Sequence, residues 1–99
     1  MSAKELQNTI LAIITNNTRT YEHPSEYLDL LELRNRLGKL DGIDPTRGEV
    51  DAALLALHRS GKACLQLEEG FRFLATHPEY TEAGVRVGGE IRHLISLSN

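Results

Sequence analysis

The feature that most constrains the fold is a single change in the spacing of apolar residues, which occurs near Lys62. Before this point, apolar residues recur every three or four positions, as they do on the buried face of a helix. After it, Ala63, Leu65 and Leu67 alternate with other residues, which is the spacing of a half-buried strand. The pattern predicts a chain that is helical first and β afterwards, an α+β domain.

The first helix is predicted over residues 3–17. Ser2 and Glu5 have the spacing of a capping box, in which each side chain bonds to the backbone amide of the other residue. An apolar stripe follows, made of Leu6, Ile10, Ile13 and Asn17 with Ile14 beside it. Residues 16–20 are rich in Asn and Thr, which bond to their own backbone, so we expect the helix to end there.

The second helix is predicted over residues 25–37. Pro24 and Ser25 are typical of a helix start, and Gly38 can take the left-handed conformation that closes a helix. The apolar face of this helix consists of Tyr27, Leu30, Leu31, Leu33, Leu37 and Leu40.

The third helix is predicted over residues 46–60. Two start signals overlap: Asp44 before Pro45, and a second capping box from Thr46 to Glu49. Ser60-Gly61-Lys62 is typical of a helix end. We expect the core side, Val50, Ala53, Leu54 and Leu57, to pack against Leu6, Ile10 and Ile13 of the first helix and Leu30 and Leu37 of the second.

The β part is predicted to pair residues 63–67 with residues 91–97. An immediate hairpin is the alternative, because Glu68-Glu69-Gly70 can turn the chain into Phe71–Leu74. Between the two favoured strands, Thr76 to Glu79 can cap a short helix, and Val85–Val87 can form a strand that leads into a turn at Gly88-Gly89.

Composition favours one globular domain over residues 1–99. Hydrophobic residues make up 40% of the chain and charged residues 25%, close to the averages for soluble proteins. The longest apolar run near the N-terminus, Ile10–Ile14, is too short for a membrane span or a signal peptide. With Cys64 as the single cysteine, these features predict a cytoplasmic protein with no membrane association.

The sequence carries no pattern typical of an enzyme. The four histidines, His23, His58, His77 and His93, and Cys64 do not have the short spacings of structural zinc sites. Gly88-Gly89 lacks the motif of a phosphate-binding loop. We therefore expect no catalytic residue, no metal and no cofactor.

The order of three helices and a β-hairpin resembles that of the winged helix-turn-helix superfamily. The stretch Arg47–Lys62 is similar to the third helix of that fold. The resemblance implies a three-helix bundle followed by a β-hairpin wing. It also implies a third helix that enters the major groove of DNA and a wing that touches the backbone or the minor groove, although related domains serve as protein-interaction modules.

The first functional hypothesis is therefore a small DNA-binding domain, such as a transcriptional regulator. Its candidate nucleic-acid contacts are Arg47, Arg59, Lys62, Arg86 and Arg92. Two observations weigh against it: the net charge is −3, and Glu49 and Asp51 share the outward side of the third helix with the arginines. The alternative interpretation is that these cations are ordinary solvated side chains.

The second hypothesis is a protein-interaction module that binds no nucleic acid. Ala52, Leu55 and Ala56 would form a small apolar patch on the outward side of the third helix, suited to a protein partner or to a second copy of the chain. The alternative is that this helix is buried on two sides within its own domain.

Overall fold

The computed structural model describes residues 2–20, 27–67 and 78–98, with side chains described in the first of these ranges as far as Asn17. The elements are α1 (Ala3–Thr20), β1 (Leu28–Asp29), α2 (Leu30–Gly38), α3 (Arg47–Arg59), β2 (Ala63–Gln66), α4 (Pro78–Glu82), β3 (Val85–Val87), β4 (Glu90–Arg92) and β5 (Leu94–Leu97). The α+β class is confirmed.

An antiparallel sheet with the strand order β1-β5-β2 packs against one side of the helices. Ile95 of β5 lies opposite Leu28 on one neighbour and Leu65 on the other, and all three side chains are buried in the core. This row of apolar side chains fixes the register, because a slip by one residue would turn it away from the helices. The predicted pairing of 63–67 with 91–97 is confirmed for residues 63–66 of β2 and 94–97 of β5.

The core side of α3 is confirmed. Val50, Ala53, Leu54 and Leu57 are buried in one cluster together with Leu6, Ile10, Leu30 and Leu37. Ile13 packs against this cluster but is only partly buried, whereas its neighbour Ile14 is 1% exposed and belongs to the cluster itself. The helical rotation along α1 therefore places Ile14, rather than Ile13, at the centre of its contact with the core.

α1 is longer than predicted, since it continues to Thr20 instead of ending at residue 17. Asn17 is buried, and its side-chain oxygen accepts a hydrogen bond from Nη2 of Arg36 at 3.3 Å. The amide is therefore engaged by α2 and does not compete for the helix backbone. At the other end, the Ser2 hydroxyl accepts from the Glu5 amide, as the capping box predicts.

α2 begins at Leu30, so the predicted start at residue 25 is wrong. Leu28 and Asp29 are extended because they pair with β5, and the Asp29 carboxylate then caps the helix by accepting from the Glu32 amide at 2.8 Å. Tyr27 precedes the helix and is exposed. The start signal at Pro24 and Ser25 lies outside the described residues.

The end of α2 also differs from the prediction. Gly38 is the last helical residue, and the left-handed conformation occurs at Gly42, where φ is 80°. Leu40, predicted on the apolar face, lies in the turn beyond the helix and is 42% exposed.

The predicted strand 91–97 is divided at His93. Residues before it pair with β3 in a separate two-stranded hairpin, and residues after it join the three-stranded sheet. The amide of His93 donates to the carbonyl of Gln66, and its carbonyl accepts from the amide of Leu30. The chain thus passes from one sheet to the other at this residue, which local alternation of side chains cannot reveal.

The segment between β2 and β5 contains the short helix and the strand that the sequence predicts. α4 begins at Pro78, and β3 leads through the turn at Gly88-Gly89 into β4. The alternative hairpin over residues 68–74 lies outside the described residues.

α3 matches its prediction within one residue at each end. Thr46 and Glu49 form the complete capping box, so the second of the two overlapping start signals begins the helix. Near its C-terminal end, Nδ1 of His58 accepts a hydrogen bond from the Leu65 amide at 3.1 Å, which ties the helix to β2.

Candidate interaction surface on the third helix

α3 has two flanks on either side of its buried face. One flank carries Arg47 and Asp51 and lies against the junction of α4 and β3. The other carries Glu49, Ala52 and Ala56 and faces the N-terminal part of α1. We call them the clamp flank and the groove flank.

Arg47 of the clamp flank and Arg34 of α2 together bind three successive carbonyl oxygens of the α4–β3 junction. Nη2 of Arg47 donates to the carbonyl of Glu82 at 2.6 Å and to that of Gly84 at 3.1 Å. Nε of Arg34, from α2, donates to the carbonyl of Ala83 at 2.9 Å. These bonds satisfy carbonyls at the end of α4 that the helix itself leaves without a partner.

Asp51 joins the two guanidinium groups. Its Oδ1 lies 2.6 Å from Nη2 of Arg34, and Nε of Arg47 lies 3.2 Å from both carboxylate oxygens. Burial lowers the pKa of Arg34, while the hydrogen bond and the charge of Asp51 act in the opposite direction. Because a guanidinium stays charged in proteins, Asp51 supplies the compensating charge. Arg34, Arg47 and Asp51 are named the clamp.

Gly84 allows this junction to pack closely. A Cβ atom at this position would lie 2.6 Å from Cγ2 of Ile91 and 3.0 Å from the carbonyl oxygen of Arg92. The absence of a side chain therefore permits β3 to begin directly against β4.

The five candidate nucleic-acid contacts have different surroundings. Arg47 belongs to the clamp, and Arg92 pairs with Glu90 and donates from Nη1 to the Leu65 carbonyl at 2.8 Å. Arg59, Lys62 and Arg86 are exposed and form no ion pair within the part of the chain that the structure describes.

The three exposed cations do not share one element. Arg59 and Lys62 lie at the C-terminal end of α3. Arg86 lies on β3, just after Gly84, whose carbonyl binds Arg47 at the opposite end of that helix.

The groove flank borders a concavity with a volume of about 390 Å³ between α1, α3 and the turn before α3. Its apolar lining comes from Ala3, Leu6, Ile43, Pro45, Ala52, Ala53 and Ala56, and the remaining lining from Ser2, Gln7, Gly42, Asp44 and Glu49. Two carboxylates therefore line the groove, and no lysine, arginine or histidine does so among the described residues.

No family model, curated protein or solved structure matches this chain.

The three residues of the predicted interface patch, Ala52, Leu55 and Ala56, do not share one surface in the structure. Ala52 is exposed and Ala56 half-buried, and both line the groove. Leu55 is half-buried and packs against the core. The contribution of Ala3, Leu6 and Gln7 to the groove was missed, because in the sequence Leu6 signals only a core position.

Glu49 is held in an ionised state at the edge of the groove. Its side chain accepts a hydrogen bond from the Thr46 amide at 3.2 Å, and its own amide donates to the Thr46 hydroxyl. These bonds with the backbone and side chain of Thr46 hold the pKa of Glu49 below its ordinary value.

Residues 2–20, 27–67 and 78–98 contain neither a metal-binding cluster nor a helix that could span a membrane. No three histidine, cysteine or acidic side chains in these ranges lie close enough to hold a metal ion, and His23 and His77 fall outside them. No described helix is both long and apolar enough to cross a membrane. Cys64 is a half-buried free thiol on β2.

Proposed function

We propose that this chain is a protein-interaction domain of winged-helix type, in which α3 presents a surface to a partner protein instead of reading DNA. Three helices followed by the antiparallel pair of β2 and β5 support the winged-helix part of the proposal. The segment between these strands, which contains α4 and the hairpin of β3 and β4, takes the place of the wing.

The clamp is the observation that carries the proposal. A helix that reads DNA contacts base edges with its N-terminal residues. In α3 this end carries Arg47, whose Nε and Nη2 are bonded to Asp51 and to the carbonyls of Glu82 and Gly84. Nε and Nη2 of this guanidinium are therefore bonded within the fold, and the α4–β3 junction lies against this end of α3.

The remaining outward residues of α3 favour a protein partner. Gly48, Glu49 and Ala52 are exposed, and none of them can donate a bidentate hydrogen bond to a base. The carboxylate of Glu49 would face the phosphates of a bound duplex, and the net charge of −3 adds to this repulsion.

DNA binding is the competing hypothesis, and it is favoured by the exposed candidate contacts outside the clamp, Arg59, Lys62 and Arg86. Each phosphate contact adds about −0.9 to the slope of log affinity against log salt, so three contacts predict a slope of about −2.7.

A salt series with a random-sequence DNA duplex, followed by fluorescence anisotropy, separates the two functions. We expect no saturable binding of the wild-type protein even at low salt. The matched variants are Arg59→Ala with Lys62→Ala and, as a control with the same loss of charge away from α3, Lys4→Ala with Lys39→Ala. Saturable binding whose salt slope is reduced by the first pair and not by the control pair would overturn the proposal.

A further inference from the structure

The groove between α1 and α3 has a shape and a charge that identify a class of partner. We propose that it docks a short amphipathic helix of another protein, with leucine-type side chains on one face and lysine or arginine beside them. This inference rests on the proposed interaction function and adds to it the site and the chemistry of the partner.

The shape of the groove suits a helix. Its walls are two helices, and the surface of α3 offered to the partner is made of Ala52 and Ala56, one turn apart, with Ala3 on the opposite wall. Packed helices lie about 8–10 Å apart depending on the side chains between them, and small residues permit the closest approach. Leu6 and Ala53, both buried, form an apolar floor for the side chains of the third helix.

The negative charge at the edge of the groove indicates which residues should flank the apolar face of the partner. Asp44 and Glu49 are exposed at its edge, and Glu49 is fixed there by the Thr46 amide. Lys4 of α1 does not line the groove. An apolar helix flanked by lysine or arginine would therefore meet two carboxylates, whereas an acidic helix would meet charges of its own sign.

A second copy of the chain fits the groove less well than a basic partner. In a twofold dimer the same surface is used by both copies, so the Asp44 and Glu49 carboxylates of each would be brought to one interface. Each copy also carries a net charge of −3. Like charges across an interface disfavour association, so we commit to a separate, basic partner.

The test uses three synthetic peptides of equal length. The first is an amphipathic helix of Leu, Ala and Lys, the second replaces every Lys by Glu, and the third scrambles the first so that its leucines share no face. Each is titrated into ¹⁵N-labelled full-length protein, and the amide shifts are followed by NMR. We expect saturable shifts at Leu6, Gly42, Ala52 and Ala56 with the lysine peptide, and about tenfold weaker binding of the glutamate and scrambled peptides.

Two sets of variants locate the binding. Ala52→Phe fills the groove at an exposed position and should abolish the shifts, while Asn35→Phe, at an exposed position of α2, should leave them unchanged. Asp44→Asn with Glu49→Gln should weaken binding of the lysine peptide about three- to tenfold and flatten its salt dependence. The control pair, Glu82→Gln with Glu90→Gln, removes two charges outside the groove lining.

Four results would overturn the inference: equal binding of the lysine and glutamate peptides, binding that Ala52→Phe leaves intact, no saturable shift with the lysine peptide up to about 1 mM, or a dimer in light scattering that Ala52→Phe converts to a monomer. None of them requires DNA binding, so the inference can fail while the proposed function stands. Failure of the proposed function is seen separately, in the duplex titration.

Discussion

The two flanks of α3 differ in what the rest of the chain places against them. On the clamp flank, Arg47 donates to the carbonyls of Glu82 and Gly84, more than 30 positions away, although its side chain is 53% exposed. On the groove flank, Ala52 and Ala56 face the start of α1 across an open concavity. The sequence of a helix therefore does not by itself determine which of its sides can bind a partner. In α3, a distant segment of the chain contacts one flank and leaves the other open.

Leu54→Ala should have the largest effect, because Leu54 is fully buried beneath both flanks. Loss of a buried leucine side chain costs about 2–5 kcal/mol of unfolding free energy. Urea unfolding measures the loss, with Leu40→Ala at an exposed position as the control. A Leu54→Ala protein as stable as the control would show that the two flanks do not share this core.

Asp51→Asn should open the clamp flank alone. It removes the negative charge that compensates the largely buried guanidinium of Arg34, at a cost of about 1–3 kcal/mol. Glu32→Gln removes one member of a more exposed pair with Arg36 and should cost less than about 1 kcal/mol. The same cost for both variants in urea unfolding would mean that the clamp contributes no more than a surface ion pair.

Gly84→Ala should loosen the packing of the α4–β3 junction against β4. The added methyl would meet Cγ2 of Ile91 and the Arg92 carbonyl, and the resulting strain should cost about 1–2 kcal/mol. Amide hydrogen exchange should increase in residues 85–92 and stay unchanged in α1. Unchanged exchange in the hairpin would show that the close packing at Gly84 is not needed.

Glu49→Gln should have the smallest effect, and the effect should depend on pH. Glutamine preserves the capping box but removes the charge. Because the pKa of Glu49 is lowered in the folded state, its ionised form stabilises the fold fully above the ordinary value of about 4.5, and this contribution is lost as the pH falls through the folded-state pKa. The difference between wild type and Glu49→Gln in urea midpoint should therefore narrow in acid. A difference that widens in acid would contradict the cause given for the shift.

Local signals predicted α3 well because they act within the helix itself. The Thr46–Glu49 capping box and the buried positions of Val50 and Leu54 depend only on spacing. The start of α2 and the break at His93 were not predictable in the same way, because each is set by pairing with strands far along the chain.

The candidate surfaces were predictable only in part for the same reason. Ala52 and Ala56 were identified as outward and apolar, but the opposite wall of the groove comes from Ala3 and Leu6 near the other end of the sequence. Arg47 was identified as a cation available to DNA, and nothing near it in sequence indicates the carbonyls that it binds.

The central claim is that one flank of α3 is bonded to the α4–β3 junction and the other borders an open groove, and alanine methyl groups on α3 and in that junction test this most directly. Protein labelled with ¹³C in these methyls can be exposed to a neutral, soluble paramagnetic chelate and followed by NMR. We expect strong relaxation enhancement at Ala52, intermediate enhancement at Ala56, and weak enhancement at Ala83, which is 4% exposed in the α4–β3 junction beside the clamp flank. Enhancement at Ala83 as strong as that at Ala52 would contradict it.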